Sequence, residues 1–345
     1  MPKNSFKSLF ILCLCLCIGL LIHPYAGAKN CKAKYCFKLA SLAPKSIGWA
    51  KHIREIIHPA LNKATNGNVE LNWFWGGLMG NDKDYIQKMK IGQLHGAAFS
   101  GQGVVLLCPE MAVLELPFMF NDYKEVDYIR KKMISTFDRY VEKRGYKLIV
   151  WADQDFDQIY SVKFKMDRLE DFKKARFLTW YGPMEHKLLT TLGSSPVPVN
   201  VTEVSPSILQ GVGDALIAPA IWVIGSQLYG KFKYVNPLQI RYSPTAVFVT
   251  MEAWNSIPQS YRNSIMAMRN KEAYEFRKRT REDSKKSFDA MVKYGIKVSE
   301  MTPEELNRIR EESIKIWSDM AGKDFPKELL DELLMHLKQY RAGSK

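Results

Sequence analysis

Arg176 and Trp180 fall near the end of one short apolar run, KARFLTW, and Pro219 and Trp222 fall near the end of another, DALIAPAIW. A cation beside large aromatic faces is binding chemistry. The cation fixes the orientation of a solute and the apolar walls strip water from the rest of it. Catalytic chemistry finds no comparable set. There is no G-x-S-x-G elbow, no H-E-x-x-H and no phosphate-binding loop, and the six histidines stand at no metal-ligand spacing with a cysteine. Glu185 and His186 are neighbours on a helical segment with no nucleophile to serve, and Asp214 reads as a turn residue. The chain is therefore expected to bind rather than to catalyse, with no metal and no cofactor. A secreted α/β enzyme is the weaker alternative.

The elements that must position these residues lie between Asp167 and Trp222. KARFLTW reads as a strand, GPMEHKLLTTLGSS as a helix with Met184, Leu188, Leu189 and Leu192 on one face, and SPVPV as an extended segment. EVSPSILQG is a short helix ending at Gly211, and DALIAPAIW re-enters the interior. Such units demand a parallel sheet, whose ligands sit beyond the carboxyl ends of its strands. The amino-terminal half repeats the order. YCFKLASLAP is a strand, GWAKHIREIIHPALNKATNG a helix, NVELNWFWGG a strand, a helix follows Asn81-Asp82, and HGAAFS is a strand. Ser100 and Gln102, in the turn after HGAAFS, are further hydrogen-bond donors for a ligand. Trp73 and Trp75 share a strand face and Phe118 reads as core.

YKLIVWADQDF is a strand followed by an acidic loop, where the chain is expected to cross between domains. YSPTAVFVTMEAW is the strand that returns. A long helical segment then begins at Ser256-Ile257-Pro258, its charges paired at i,i+4 as in Glu275 with Arg279 and Glu282 with Lys286. A short strand, GIKVSEM, and two helices close the chain.

Residues 1–28 show a basic start, an apolar run and a small-residue signal at Ala26 and Ala28, the pattern of a cleavable secretory leader. Three of six cysteines leave with it. In an oxidising compartment Cys31 and Cys36 can close a small loop, and Cys108 is expected as a buried thiol. The formal net charge of +14 is spread along the chain, which suits a solvated surface favouring acidic solutes rather than nucleic acid.

SLAPKSIGWAKHI, VELNWFWGGLMGNDKDYIQKMKIGQLHGAAFS, PEMAVLELPFMFNDYKEVD, LGSSPVPVNVTEVSPSILQGVGDALIAP, LYGKFKYV and FVTMEAWNSIPQSYR, in this order, closely resemble DctP-type solute-binding subunits of TRAP (tripartite ATP-independent periplasmic) transporters. The resemblance implies an α/β, two-lobed periplasmic-binding-protein fold of type II-like architecture. Each lobe would be a mainly parallel sheet wrapped by helices, with a long helix spanning both. The boundaries expected are 29–152 plus 245–282 for lobe I and 153–244 plus 283–345 for lobe II. It also implies a periplasmic monomer that hands a carboxylate to small and large membrane subunits. A ligand sensor feeding a receptor is the alternative.

By the same resemblance, Arg176 matches the arginine that clamps a ligand carboxylate, a role suited to a planar guanidinium fork. Trp49 follows the first strand's loop, where the family's pocket receives a contact. Two departures stand out. The interval from Arg176 to Gly193 is about two residues longer than the family pattern, and DQDFDQIYS carries Asp157 and Gln158 in place of a second arginine. Gln158 and Tyr160 are then expected to supply neutral donors. The wording TWYGP and GDALIAPAIW points to a tryptophan-rich pocket and a ligand bulkier or less charged than a C4-dicarboxylate.

Overall fold

A computed structural model describes residues 31–180 and 182–343; the apolar leader and its cleavage signal lie outside them. The first element of the described residues is β1 (Tyr35–Ser41), which leads into α1 (Trp49–His52), a π-type turn (Ile53–Ile57) and α2 (His58–Ala64). Pro59 has no N–H to return to the preceding turn, and the widened turn sits just ahead of it. Then follow β2 (Val69–Phe74), α3 (Asp82–Lys90) and β3 (Gly96–Phe99). Asn81 caps α3, accepting from the N–H groups of Lys83 and Asp84, while the Asp84 carboxylate accepts from the N–H of Asn81. Strand β1 pairs in parallel with both β2 and β3.

After α4 (Gly101–Leu107), tight turns over Pro109–Glu115 and α5 (Tyr123–Lys143), the chain runs through β4 (Tyr146–Ser161). A second unit then repeats the first: β5 (Leu178–Thr179), α6 (Pro183–Thr191), β6 (Val197–Pro198), α7 (Val204–Leu209), β7 (Ala215–Ala218) and α8 (Ala220–Gly225). Strands β5 and β6 are parallel, and Phe177 bridges in parallel to Ala215 at the head of β7. The return strand β8 (Tyr234–Thr250) is followed by α9 (Met251–Ser256), α10 (Gln259–Ala267), α11 (Glu272–Tyr294), β9 (Lys297–Val298), α12 (Pro303–Met320) and α13 (Lys327–Gly343).

The two parallel units flank an antiparallel pair. Strand β8 runs against β3 on one side, β7 runs against β4 on the other, and β4 and β8 pair from Tyr146 opposite Thr250 to Ser161 opposite Tyr234. The parallel sheets expected of each half are therefore joined by a centre in which direction alternates. The chain leaves the first half along β4 and comes back along β8, so the two must oppose.

The expected acidic loop after Phe156 is instead the second half of β4, which carries register shifts at Leu148/Val150, Asp153/Asp155 and Asp157/Ile159. Its acids are buried because partners wait for them. Asp153 meets Arg130, Arg281 and the Tyr242 hydroxyl, Asp155 accepts from Tyr123, and Asp157 meets Arg241 at 2.6 Å. The expected long helix is bent. Between α10 and α11 the turn at Arg269 is fastened by a two-pronged pair to Asp138 (2.7 Å for each bond) and a bond to the Ile149 carbonyl (3.0 Å). Cys31 and Cys36 form a disulfide, and Cys108 is a buried free thiol. No helix among the described residues is long and apolar enough to cross a membrane.

Candidate functional site

A cavity of about 330 Å³ opens where the carboxyl ends of both parallel units converge. The loop after β1 brings Ser41 to Pro44, Ile47 and Trp49. The loop after β2 brings Gly76 and Gly77, and the end of β3 brings Ala98, Phe99 and Ser100. From the second unit come Trp180 after β5, Val201, Thr202 and Ser205 after β6, and Ile221 and Trp222 on α8, with Ser226 at its end, after β7. The central pair contributes Gln154 from β4 and Thr245 from β8. Gly76 and Gly77 have φ of 67° and 75°, which lets consecutive N–H groups reach Ala43 (2.9 Å) and Ser41 (3.2 Å) and ties two of these loops together.

Aromatic surface faces the cavity from both sides. Trp180 and Trp222 stack with ring centres 4.9 Å apart, and across from them Trp49 packs edge-on against Phe276 of α11 at 5.1 Å. Trp73 and Trp75 stack on each other and line none of the cavity. The polar side-chain groups of the lining are hydroxyls, one amide and the indole N–H groups of Trp49, Trp180 and Trp222. Among the described residues that line it there is no Lys, Arg, His, Asp or Glu.

Several of these polar groups are already engaged with the protein. The Ser100 hydroxyl donates to the buried Asp82 carboxylate, the Thr245 hydroxyl to the Phe99 carbonyl, and the Ser226 hydroxyl to the Val223 carbonyl at 3.2 Å. The Gly101 N–H donates to Gln154 Oε1 at 3.3 Å. Burial pushes the Asp82 carboxyl up to about 6, so near neutral pH it is ionised and accepts the Ser100 proton. Among the described residues no protein acceptor meets the hydroxyls of Ser41, Thr202 and Ser205, which are donors in reach of a solute, and a carboxylate stripped of water without such partners costs several kcal/mol.

A buried charge cluster adjoins the tryptophan wall. Glu185 accepts the Trp180 N–H at 3.1 Å and the Thr179 hydroxyl, and its other oxygen lies 3.7 Å from Arg241. Arg241 also pairs with Asp157 and stands 3.6 Å from Glu115. One guanidinium cannot neutralise three buried carboxylates. Burial pushes Glu115 up to about 8, and Asp157 is raised for the same reason. Among the described residues no group of His, Cys, Asp and Glu is arranged to hold a metal ion.

Of the residues expected from sequence, Trp49, Trp180, Trp222 and Ser100 line the cavity. Arg176 does not. It stands at the amino end of β5, whereas the cavity lies at the carboxyl end. There its half-exposed guanidinium donates to the Gly211 carbonyl at 2.8 Å and lies 3.8 Å from Asp214. Gln158 and Tyr160 are also displaced from the expected role. Both are buried, Tyr160 donates to Gln158 Oε1 at 3.1 Å, and Gln158 donates to the Phe156 carbonyl at 2.7 Å. Gln102 lies in the first turn of α4 and Pro219 immediately precedes α8, both outside the lining. Gln154 and Thr245 were missed because they lie within long strands. Thr202, Ser205 and Ile221 were legible only as residues that follow strand ends.

A family model described as bacterial extracellular solute-binding protein, family 7 (DctP), matches residues 45–324. The 2,3-diketo-L-gulonate-binding periplasmic protein YiaO of Escherichia coli (strain K12) is 21% identical over 275 residues, covering 76% of this chain and 83% of the relative. Two crystal structures share the fold at 18% identity and a TM-score of 0.82, each covering 89% of this chain and 99% of the other. They are the sugar acid binding protein DctPAm from Advenella mimigardefordensis strain DPN7T in complex with galactonate, and a TRAP periplasmic solute-binding protein from Desulfovibrio salexigens with bound orotic acid. Such proteins bind rather than catalyse, and this chain belongs to the DctP family of TRAP periplasmic solute-binding proteins.

Proposed function

We propose that this protein is the exported solute-binding subunit of a TRAP transport system. Its leader is cleaved after Ala28, and its two lobes, 29–152 plus 245–282 and 153–244 plus 283–345, close as a monomer on an organic acid. The closed form then presents that solute to the small and large membrane subunits. One observation carries this reading: the cavity is walled by the three loops at the carboxyl ends of each parallel unit, so that a solute touching both sides favours approach of the halves. The galactonate and orotic acid named for the two similar structures, both carboxylates, support the ligand class.

Closure shifts an existing equilibrium by the solute's differential affinity for the closed form. Small-angle scattering and thermal unfolding of the mature protein, with a panel of mono-, di- and hydroxycarboxylates and aromatic acids, test it. At least one acid is expected to shrink the radius of gyration and raise Tm. Absence of compaction with every member, or turnover of any, overturns the proposal.

A further inference from the structure

We infer a second binding site outside the cavity lining: the seam between α5 and α11 takes a small oxyanion, a phosphate, sulfate or carboxylate, on the guanidinium of Arg277. Two ion pairs fasten this seam, Arg269 with Asp138 at one end and Arg281 with Asp127 at the other. Between those two acids α5 carries no third, and Arg130, Lys131 and Lys132 stand in the interval. Arg277 lies in the matching stretch of α11, half-buried, and makes no ion pair or hydrogen bond among the described residues.

The isolation of Arg277 is written into its helix. The side chains one turn away are Ala273, Tyr274, Thr280 and Arg281, none of them acidic. By contrast Arg279 and Lys285 each have an acid four positions away, Glu275 at 3.0 Å and Asp289 at 2.9 Å. The carboxylates nearby are already filled. Asp127 accepts from Arg130 and from two nitrogens of Arg281 (2.7 Å each), and Asp153 from Arg130, Arg281 (2.8 Å) and the Tyr242 hydroxyl. Asp155, further along β4, accepts from Tyr123. Two cations and two anions thus close on themselves, and Arg277 is the surplus charge. Its Nε is buried with no acceptor, and the exposed ring of Tyr274 has its centre 6.0 Å from the guanidinium carbon. Burial and the neighbouring Arg130 push this guanidinium down to about 10, so it stays charged at neutral pH. A planar fork with donors to spare takes an oxyanion through charge-assisted hydrogen bonds, at about millimolar affinity for so small a contact.

The test uses the mature protein with phosphate, sulfate and acetate, each against chloride at matched ionic strength. In nuclear magnetic resonance spectra of the arginine side chains, the Nε–H signal of Arg277 is identified by its loss in Arg277→Lys. That signal is expected to shift and saturate at about millimolar concentration with at least one of the three ions. A shift with phosphate or sulfate alone assigns a tetrahedral ion, and a shift with acetate assigns a carboxylate; each supports the site. Thermal unfolding gives the second reading. In chloride, Arg277→Met is expected to melt no lower than the wild type, because it deletes a half-buried charge that has no partner. The oxyanion that shifts the signal is expected to raise the Tm of the wild type more than that of the variant. No saturable shift with any of the three ions overturns the inference. Arg277→Met melting lower in chloride overturns it as well, because the cation is then structural. Neither result bears on solute capture in the cavity.

Discussion

Glu185 accepts the backbone N–H of Trp180 at 3.1 Å, so a fully buried carboxylate of α6 sets the position of one aromatic wall of the cavity. The same carboxylate takes the Thr179 hydroxyl. Glu185→Ala is expected to strand both donors and cost about 1–3 kcal/mol for each one left unsatisfied, with weaker solute binding. Glu185→Gln, which keeps an acceptor, should recover part of both. Urea unfolding and calorimetric titration measure the two losses separately.

Trp180 and Trp222 form one stacked pair, yet their burial differs. Trp180 is 4% exposed and belongs to the core of the second unit, while Trp222 packs only partly against it. Trp180→Ala is therefore expected to cost about 3–5 kcal/mol of stability, and Trp222→Ala clearly less. Trp222→Ala should lose affinity while keeping its fold, and should also lose most of the tryptophan fluorescence change on binding. Equal destabilisation by the two would show that Trp222 is structural.

Arg176→Ala is expected to leave solute affinity unchanged. The half-exposed guanidinium serves the Gly211 turn, and exposed pairs of this kind contribute about 0–1 kcal/mol. A loss of binding of tenfold or more would bring Arg176 back into the site.

Stability should fall as pH rises from 6.5 to 8. Burial raises Glu115 from 4.5 to about 8, so across that window the folded chain holds a proton that the unfolded chain has lost. A raised carboxyl contributes full stability only below its unfolded value, and loses it at roughly 1.4 kcal/mol per pH unit until the folded value is passed. Asp82 and Asp155, raised to about 6, act in the same direction but finish lower. Burial lowers His58 and His95 from 6.5, which opposes the trend only up to that ordinary value. Urea midpoints at pH 6.5 and 8 check the slope, and Glu115→Gln should flatten it.

Arg241→Met tests the same cluster from its cationic side. Removing the guanidinium leaves Asp157, Glu115 and Glu185 facing one another in a dry space, a loss of about 3–5 kcal/mol where they are ionised. The variant should be partly rescued near pH 5, where carboxyls in such company take up protons. Equal destabilisation at pH 5 and pH 8 would contradict this account.

Much of the fold was legible because strand, helix and turn patterns repeat in the two parallel units. HGAAFS, GPMEHKLLTTLG and DALIA each became the element their pattern announced. The second half of β4 was not, because Asp153, Asp155 and Asp157 break the apolar pattern. Their burial depends on Arg130, Arg281, Tyr123 and Arg241, which arrive from distant segments. The cavity was legible as tryptophans at strand ends. Arg176 misled because it lies at the head of β5, only a few positions from Trp180, so that proximity in sequence concealed opposite ends of the sheet.

Because β4 and β8 pair with each other along their length, with β3 beside one and β7 beside the other, neither half owns all of its strands. A fragment holding only the first parallel unit would leave the rim of β3 bare where β8 now covers it, and such a rim recruits other chains. The protein is in this sense indivisible, and the closure proposed above would have to be accommodated by the ribbon of β4 and β8 that the two units share.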